Sequence, residues 1–241
     1  MSSVPIAAEL LAAVDASPRA TAGHDKSAWV GLFADDGRVE DPVGSRPHIG
    51  HAEIGRFYDT FIGPRQITFH RDLDIVAGMT VVRDLTLEVV MGSSVRMMIP
   101  VFLRYDLRAT ENAWRIARLR AHWELPAMMG QFLRNGVRSL PASLQLSAAL
   151  VRNQRLVGTA GFLSGFRGAG KQGKRLVEDA LARSLLTDEL RECHWGKMIA
   201  AGNTVAAAVT ASSGRGVLFA TVERGAIRGV RYFAESTKDP A

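Results

Sequence analysis

The amino-acid sequence predicts an α+β fold in which a curved antiparallel sheet packs on helices. Apolar residues recur at helical spacing over residues 6–16, 25–34 and 50–58. Four segments follow in which apolar and polar residues alternate, each bounded by turn residues. Such alternation is typical of a sheet with one apolar face, and helices are needed to cover that face. The two patterns therefore indicate a domain with helices on one side of a sheet.

The predicted helices open the chain. Pro18 lies between the first two helical segments, and we expect a break there because a proline inside a helix removes a hydrogen bond. A short extended segment follows the second helix, and in it Asp41 precedes Pro42, a position that disfavours helical geometry. The third helix places Phe57 and Tyr58 on one apolar face.

The four predicted strands span residues 67–75, 80–90, 95–107 and 114–123. In the third of them Val101, Leu103 and Tyr105 share one face, while Phe102 and Arg104 lie on the other. The charged residues of this other face are Asp84, Glu88, Arg104, Arg118, Arg120 and His122. Because both charge signs occur there and can pair across strands, we expect a salt-bridged outer surface or a dimer face.

The second half of the chain has a different pattern. Residues 126–166 are apolar and interrupted by glycines, which indicates mostly helical structure. Residues 173–186 have the spacing of an amphipathic helix, and residues 197–234 return to strands. Residues 165–171 match part of a phosphate-binding loop, but Gln172 lacks the hydroxyl that binds Mg²⁺ in such loops, so we interpret the run as a basic linker.

A repeat connects the two halves. Ala-Gly-Met-Thr-Val at residues 77–81 matches Ala-Gly-Asn-Thr-Val at residues 201–205, and residues 116–124 are similar to residues 227–235. Two matches in the same order predict a duplicated unit whose second copy is truncated. We expect this second copy either to cover the charged face of the first sheet or to extend the pocket of the first unit.

The composition narrows the class of protein. The net charge is +6 and the isoelectric point is near 10.0, but only 7% of residues are aromatic and none alternate with basic residues, so we expect no nucleic-acid binding. Cys193 is the single cysteine, so an intramolecular disulfide is excluded. Glu9 and Asp15 interrupt the first apolar stretch, which is typical of an amphipathic helix and not of a signal peptide. With no apolar run of membrane-spanning length, we expect a cytoplasmic protein without integral membrane association. The scattered histidines predict no metal site, and no motif predicts a cofactor.

Two stretches resemble the ketosteroid isomerase family. Residues 32–45 read Leu-Phe-Ala-Asp-Asp-Gly-Arg-Val-Glu-Asp-Pro-Val-Gly-Ser, and residues 50–58 read Gly-His-Ala-Glu-Ile-Gly-Arg-Phe-Tyr. This family is part of the nuclear transport factor 2-like superfamily, which also contains SnoaL-like polyketide cyclases and limonene epoxide hydrolases. The resemblance covers residues 6–124 and implies a cone-shaped fold. We therefore predict a ketosteroid-isomerase-like domain over residues 1–125, and a helical connector plus a degenerate second repeat over residues 126–241.

The resemblance also implies a site. Asp41 matches the carboxylate that acts as general base in the family. In ketosteroid isomerase this aspartate works together with an oxyanion hole made of a tyrosine and a protonated aspartate. The family's oxyanion tyrosine has no counterpart, because residues 1–57 contain no tyrosine, and its protonated aspartate corresponds to the apolar Val101 or Phe102. Tyr58 is therefore the candidate donor to a ligand oxygen. The candidate substrate-binding residues are Trp123, Val101, Phe102, Leu103, Tyr105 and Phe57.

The function that this resemblance implies is a steroid delta-isomerase-like enzyme, in which Asp41 moves a proton within a hydrophobic ketone. The alternative is a non-catalytic binding or carrier protein for a steroid or polyketide-like molecule, and a third reading is a scaffold with a filled cone. An epoxide-hydrolase-like site is disfavoured, because Ala121 lies where that family has an aspartate. Family members often dimerise through the sheet, so a homodimer is a further expectation.

Overall fold

The computed structural model describes residues 3–91, 95–134, 168–212 and 214–235. Its helices are α1 (Ser3–Ala22), α2 (Lys26–Gly31), α3 (Gly50–Phe57), α4 (Leu125–Arg134) and α5 (Gly170–Ala182). The strands of the first half are β1 (Phe33–Glu40), β2 (His48–Ile49), β3 (Gln66–Ala77), β4 (Thr80–Met91), β5 (Val95–Ala109) and β6 (Trp114–His122). Those of the second half are β7 (His194–Ala201), β8 (Thr204–Ala211), β9 (Gly214–Glu223) and β10 (Ala226–Ala234).

The first sheet has the strand order β2-β1-β6-β5-β4-β3. Strand β1 runs parallel to β6, and every other neighbouring pair is antiparallel. One face of this sheet packs on α1 and α3, and fully buried Leu10 and Val14 anchor α1 there. The predicted α+β class is confirmed, and the four predicted strands of the first half correspond to β3–β6.

The expected helix break at Pro18 is wrong, because α1 continues through it to Ala22. A proline inside a helix costs about 3 kcal/mol. Burial of two large apolar side chains offsets this, since each contributes about 1.5–3 kcal/mol. The indole of Trp29 also donates a hydrogen bond to Ser17 at 3.1 Å, which fixes the last turns of α1 against α2.

The second sheet has the strand order β10-β9-β8-β7 and is antiparallel throughout. Helix α5 covers one face of it, where Val177 and Leu181 are buried against Val205 and Leu218. The two sequence matches occupy corresponding places: the first lies at the turns β3–β4 and β7–β8, and the second lies in the last strands, β6 and β10. Most of the connector predicted over residues 126–166 lies outside the described residues, but its beginning is helical as α4.

The other face of the second sheet packs on the outer face of the first. Phe102 and Val82 lie against Phe219, Val217 and Ile199 in a buried apolar cluster. Lys197 reaches across from β7 to form a salt bridge with the carboxylate of Asp84, and its ammonium lies 4.3 Å from the centre of the Phe102 ring.

The second half therefore covers much of the face for which a free salt-bridged surface or a dimer contact was expected, leaving Asp84, Arg104 and His122 buried. A homodimer through this face would have to displace the second sheet. No helix among the described residues is both long enough and apolar enough to cross a membrane.

Candidate functional site

Asp41 lies directly after β1, at the open end of the first sheet. The loop that follows it is held by the amide of Val43, which donates to the carbonyl of Ala121 at 2.8 Å, and by the hydroxyl of Ser45, which donates to the carbonyl of Pro42 at 2.6 Å. The first bond ties the loop to β6, and the second closes the loop on itself. The carboxylate of Asp41 therefore has a fixed position beside the first sheet.

Trp123 follows β6 and supplies the hydrogen bond to this carboxylate. Its indole N–H donates to Oδ1 of Asp41 at 2.5 Å. Burial raises the pKa of Asp41 from 3.8 to about 6, and the Trp123 hydrogen bond counteracts part of this rise. The accessible part of the Asp41 side chain faces a cavity, so the carboxylate is largely desolvated but open to a ligand. A base with a pKa near 6 is ionised at neutral pH and ready to accept a proton.

The cavity beside Asp41 has a volume of about 120 Å³ and is almost entirely apolar. Its walls come from α3 and the turn after it, from β3–β5 and from α4. They include Phe57, Phe61, Ile67, Leu87, Val89, Ile99, Trp123, Met128, Met129 and Phe132. Two of the predicted substrate-binding residues, Phe57 and Trp123, therefore line the cavity together with Asp41.

Helix α4 closes one side of the cavity. It is fastened to β5 by Gln131, whose side chain accepts a hydrogen bond from the amide of Met98 at 3.0 Å and donates one to its carbonyl at 2.8 Å. Met128 and Met129 project from this helix into the cavity. Because methionine side chains are flexible and adapt to irregular shapes, this wall can change form more readily than the strands.

Arg65 is a cavity residue that the sequence analysis did not identify. Its guanidinium is 8% exposed, donates a hydrogen bond to the carbonyl of Thr60 at 2.6 Å and lies over the Phe61 ring at 5.9 Å. Burial lowers the pKa of Arg65 to about 10, so the side chain remains charged at neutral pH. Nothing in the sequence separates this arginine from the rest of the 30 lysine and arginine residues.

The structure does not bring Tyr58 to the cavity. Its ring packs on Trp29 with the ring centres 5.6 Å apart, and its hydroxyl is buried without a hydrogen-bond partner among the described residues. Burial, followed by Asp25 and Asp59, raises the pKa of Tyr58. The carboxylates that affect Tyr58 thus lie directly before α2 and on the turn after α3.

The β5 residues predicted to bind substrate lie elsewhere. Val101, Leu103 and Tyr105 are buried in the core beneath the cavity and do not line it. Burial raises the pKa of Tyr105 to about 12, and its hydroxyl is hydrogen-bonded to Ser17. The prediction that Phe102 binds substrate is wrong, because its ring points to the opposite face of the sheet and packs edge-on against Phe219 of the second sheet. Residue alternation along the strand separates it from the cavity.

The second half of the chain supports the site from behind. Gly202, in the β7–β8 turn, lies against Gly44 so closely that a β-carbon on Gly202 would come within 2.7 Å of the Gly44 α-carbon. Glu124, next to Trp123, accepts a hydrogen bond from the amide of Ala200 at 3.0 Å and forms an ion pair with Lys174. Both segments that place the Asp41–Trp123 pair therefore contact the second half.

A buried carboxylate beside an apolar cavity, at the end of a curved sheet packed on helices, defines a candidate small-molecule pocket. Within the described residues, no group of three or more His, Cys, Asp or Glu side chains is placed to hold a metal ion. Residues 14–125 match the family model of the SnoaL-like domain. The first half of the chain is therefore similar to the SnoaL-like domain family.

Several solved structures are similar to about half of this chain. A Δ5-3-ketosteroid isomerase from a Mycobacterium species is 27% identical, with coverage of 50% of this chain and 96% of that one and a TM-score of 0.45. A Mycobacterium tuberculosis protein in complex with estradiol-17β-hemisuccinate is 24% identical over 49% and 95%, with a TM-score of 0.44. An epoxide hydrolase from M. tuberculosis is 19% identical over 56% and 97%, with a TM-score of 0.46. No curated protein sequence matches the chain.

Proposed function

We propose that this protein is a ketosteroid-isomerase-like enzyme in which Asp41 transfers a proton between two carbons of a hydrophobic ketone. The observation that carries the proposal is the carboxylate of Asp41, which is ionised at neutral pH, desolvated enough for its pKa to reach about 6, and open to an apolar cavity. A surface carboxylate is a weaker base, because water stabilises its charged form.

The proton transfer can be written with its electrons balanced. The Asp41 carboxylate removes a proton from the carbon between the ketone and a neighbouring double bond, and the electron pair of that C–H bond moves into a dienolate. The Asp41 carboxylic acid then returns the same proton to the far carbon of the dienolate. The double bond becomes conjugated with the ketone, and Asp41 is regenerated as a carboxylate. Trp123 keeps the carboxylate in place and stabilises its ionised form through the 2.5 Å hydrogen bond.

Apart from Arg65, the described lining of the cavity offers an enolate oxygen no free side-chain donor. The indole N–H of Trp123 is engaged by Asp41, and Tyr58 lies outside the cavity. Each missing oxyanion donor lowers the rate by about 10²- to 10³-fold in enzymes where such donors have been removed. We therefore expect turnover that is slow for this reaction class but dependent on Asp41.

Ligand size sets a further condition. Ligand pockets usually have volumes of about 300–1,000 Å³, whereas this cavity has about 120 Å³. A four-ring ketone therefore needs an outward movement of α4, the wall that carries Met128 and Met129. The Gln131 hydrogen bonds to Met98 hold this wall in its closed position.

The experiment is turnover of a Δ5-3-ketosteroid, followed by the ultraviolet absorbance gained when the double bond becomes conjugated. We expect measurable turnover by the wild type and none above background by Asp41→Asn, in which the amide cannot accept the proton. Asp36→Asn serves as a control, since Asp36 lies on β1 away from the cavity and pairs with Arg108. Equal rates in the wild type and in Asp41→Asn would overturn the proposal.

The second candidate function is a non-catalytic binding protein for a hydrophobic small molecule. The scarcity of side-chain hydrogen-bond donors favours it, since in the described lining of the cavity only Arg65 has N–H groups to spare. In this case the ketosteroid binds but is not converted, and Asp41→Asn binds it at least as well, because a neutral amide is easier to cover with an apolar ligand than a carboxylate. Equilibrium binding measured beside turnover separates the two functions.

A further inference from the structure

Arg65 is a charged side chain in an apolar environment, and no carboxylate of the residues that the structure describes forms a salt bridge with it. Its guanidinium is 8% exposed and makes one side-chain hydrogen bond, to the carbonyl of Thr60, within the part of the chain that the structure describes. A guanidinium has five N–H groups, so several donors remain for another partner. Elsewhere in the first half the buried arginines are paired: Arg83 with Asp74 and Arg104 with Asp106.

The charge of Arg65, unpaired among the described residues, lies where a ligand would bind. It lines the same cavity as Asp41, whose other walls are apolar. Burying a charge without a partner is costly, and buried charges are normally paired or hydrogen-bonded. Asp41 is hydrogen-bonded to Trp123 and Arg65 to the carbonyl of Thr60, and no hydrogen bond or salt bridge joins the two groups.

We propose that Arg65 binds a carboxylate at one end of an otherwise apolar ligand. The uncharged ketone end of the same ligand lies at Asp41. This inference rests on the proposed function for the identity of the pocket and adds the chemical class of its ligand, an amphipathic keto acid. The planar fork of a guanidinium matches a carboxylate and forms two parallel hydrogen bonds with it. The Phe61 ring beneath the guanidinium stabilises the charge and keeps it flat against the wall.

Arg65 also has a structural role, because its bond to Thr60 closes the turn formed by Tyr58–Ile62. A variant that only weakens the fold would lower the affinity for every ligand equally. The discriminating quantity is therefore a ratio: the affinity for a carboxylate divided by the affinity for its neutral ester. Both compounds share one apolar body, so any movement of α4 contributes equally to both.

The test uses 3-oxo-4-androstene-17β-carboxylic acid and its methyl ester, with dissociation constants measured by calorimetry at pH 7.5. We expect the wild type to bind the acid roughly 10- to 100-fold more tightly than the ester, as for a hydrogen bond to a charged group. In Arg65→Gln, which keeps a donor for the Thr60 carbonyl but removes the charge, the ratio falls to about one. Arg96→Gln removes an equal charge from an exposed position on β5 and keeps the wild-type ratio.

Two results overturn the inference. One is a wild-type protein that binds acid and ester equally, a result that needs no folded variant. The other is an Arg65→Gln protein that binds both compounds more weakly by the same factor, which assigns Arg65 to the fold alone. Failure of the proposed function looks different: in that case Asp41→Asn has no effect on turnover, while the wild type still binds the acid more tightly than the ester.

Discussion

Replacing Asp41 with asparagine should stabilise the protein at neutral pH while it removes the catalytic base. Burial raises the pKa of Asp41 from 3.8 to about 6 in the folded state. One pKa unit corresponds to about 1.4 kcal/mol, so the ionised carboxylate lowers the free energy of unfolding by about 3 kcal/mol at most. Because part of the side chain faces the cavity, we expect a gain of about 1–3 kcal/mol from Asp41→Asn. The asparagine oxygen still accepts the Trp123 hydrogen bond.

The size of this stabilisation depends on pH, as follows from the pKa of Asp41 in the folded and unfolded states. Below pH 3.8 the carboxyl is protonated in both the folded and the unfolded state, and the variant has no advantage. Between pH 3.8 and about 6 the unfolded state ionises first, so the wild type loses stability relative to the variant. Above about pH 6 the difference reaches its full size and stays constant.

The assay is urea unfolding of the wild type and Asp41→Asn at pH 4.5 and pH 7.5. The variant should have the larger advantage at pH 7.5, where its free energy of unfolding exceeds that of the wild type by about 1–3 kcal/mol. Asp36→Asn gives the opposite sign, because the Arg108 hydrogen bond lowers the pKa of Asp36 and the variant loses this stabilisation at pH 7.5. If Asp41→Asn has the same relative stability at both pH values, the carboxylate is not desolvated and the reasoning fails.

Three other changes test separate parts of the structure. Trp123→Phe removes the N–H donor, so the pKa of Asp41 should rise further and the acid limb of kcat/KM should move to higher pH; a pH–rate profile that does not move contradicts the role of Trp123. Tyr58→Phe should leave turnover unchanged and stability equal or slightly higher, because it removes a buried hydroxyl without a partner among the described residues; a slower rate would return Tyr58 to the site. Lys197→Met should destabilise the protein by about 2–4 kcal/mol in urea unfolding, because it leaves Asp84 buried and unpaired. The double variant Lys197→Met with Asp84→Leu should recover most of this loss, and a double variant as unstable as the single one would show that the ion pair is not the cause.

The sequence predicted the parts of the fold that depend on regular patterns. The four strands β3–β6 and the hairpin strands of the second half follow from alternation and turn residues, and Asp41 with Trp123 follows from a motif resemblance. Pro18 was misinterpreted, because the cost of a proline in a helix is local, whereas the burial of Leu10 and Val14 that outweighs it depends on the tertiary structure. Local rules cannot weigh such distant contacts.

The composition of the cavity was harder to predict than its location. Val101 and Leu103 do lie on the apolar face, but which residues of that face line a cavity depends on the curvature of the sheet and on α4, which no periodicity reveals. Arg65 was missed for the same reason, since burial of an arginine after a helix has no sequence signature. Tyr58 was assigned to the site by position on a helix, yet the rotation of that helix directs its ring towards Trp29.

The apolar cluster between the two sheets forms within one chain, which affects how the covering of the first sheet depends on protein concentration. When the outer face of a sheet is covered by a separate chain, the folded fraction depends on protein concentration, and dilution exposes apolar surface. Here the cover belongs to the same chain, so its effective concentration is fixed by the connector and does not fall on dilution. The contacts of Gly202 and Glu124 with the segments that hold Asp41 and Trp123 therefore require no second chain.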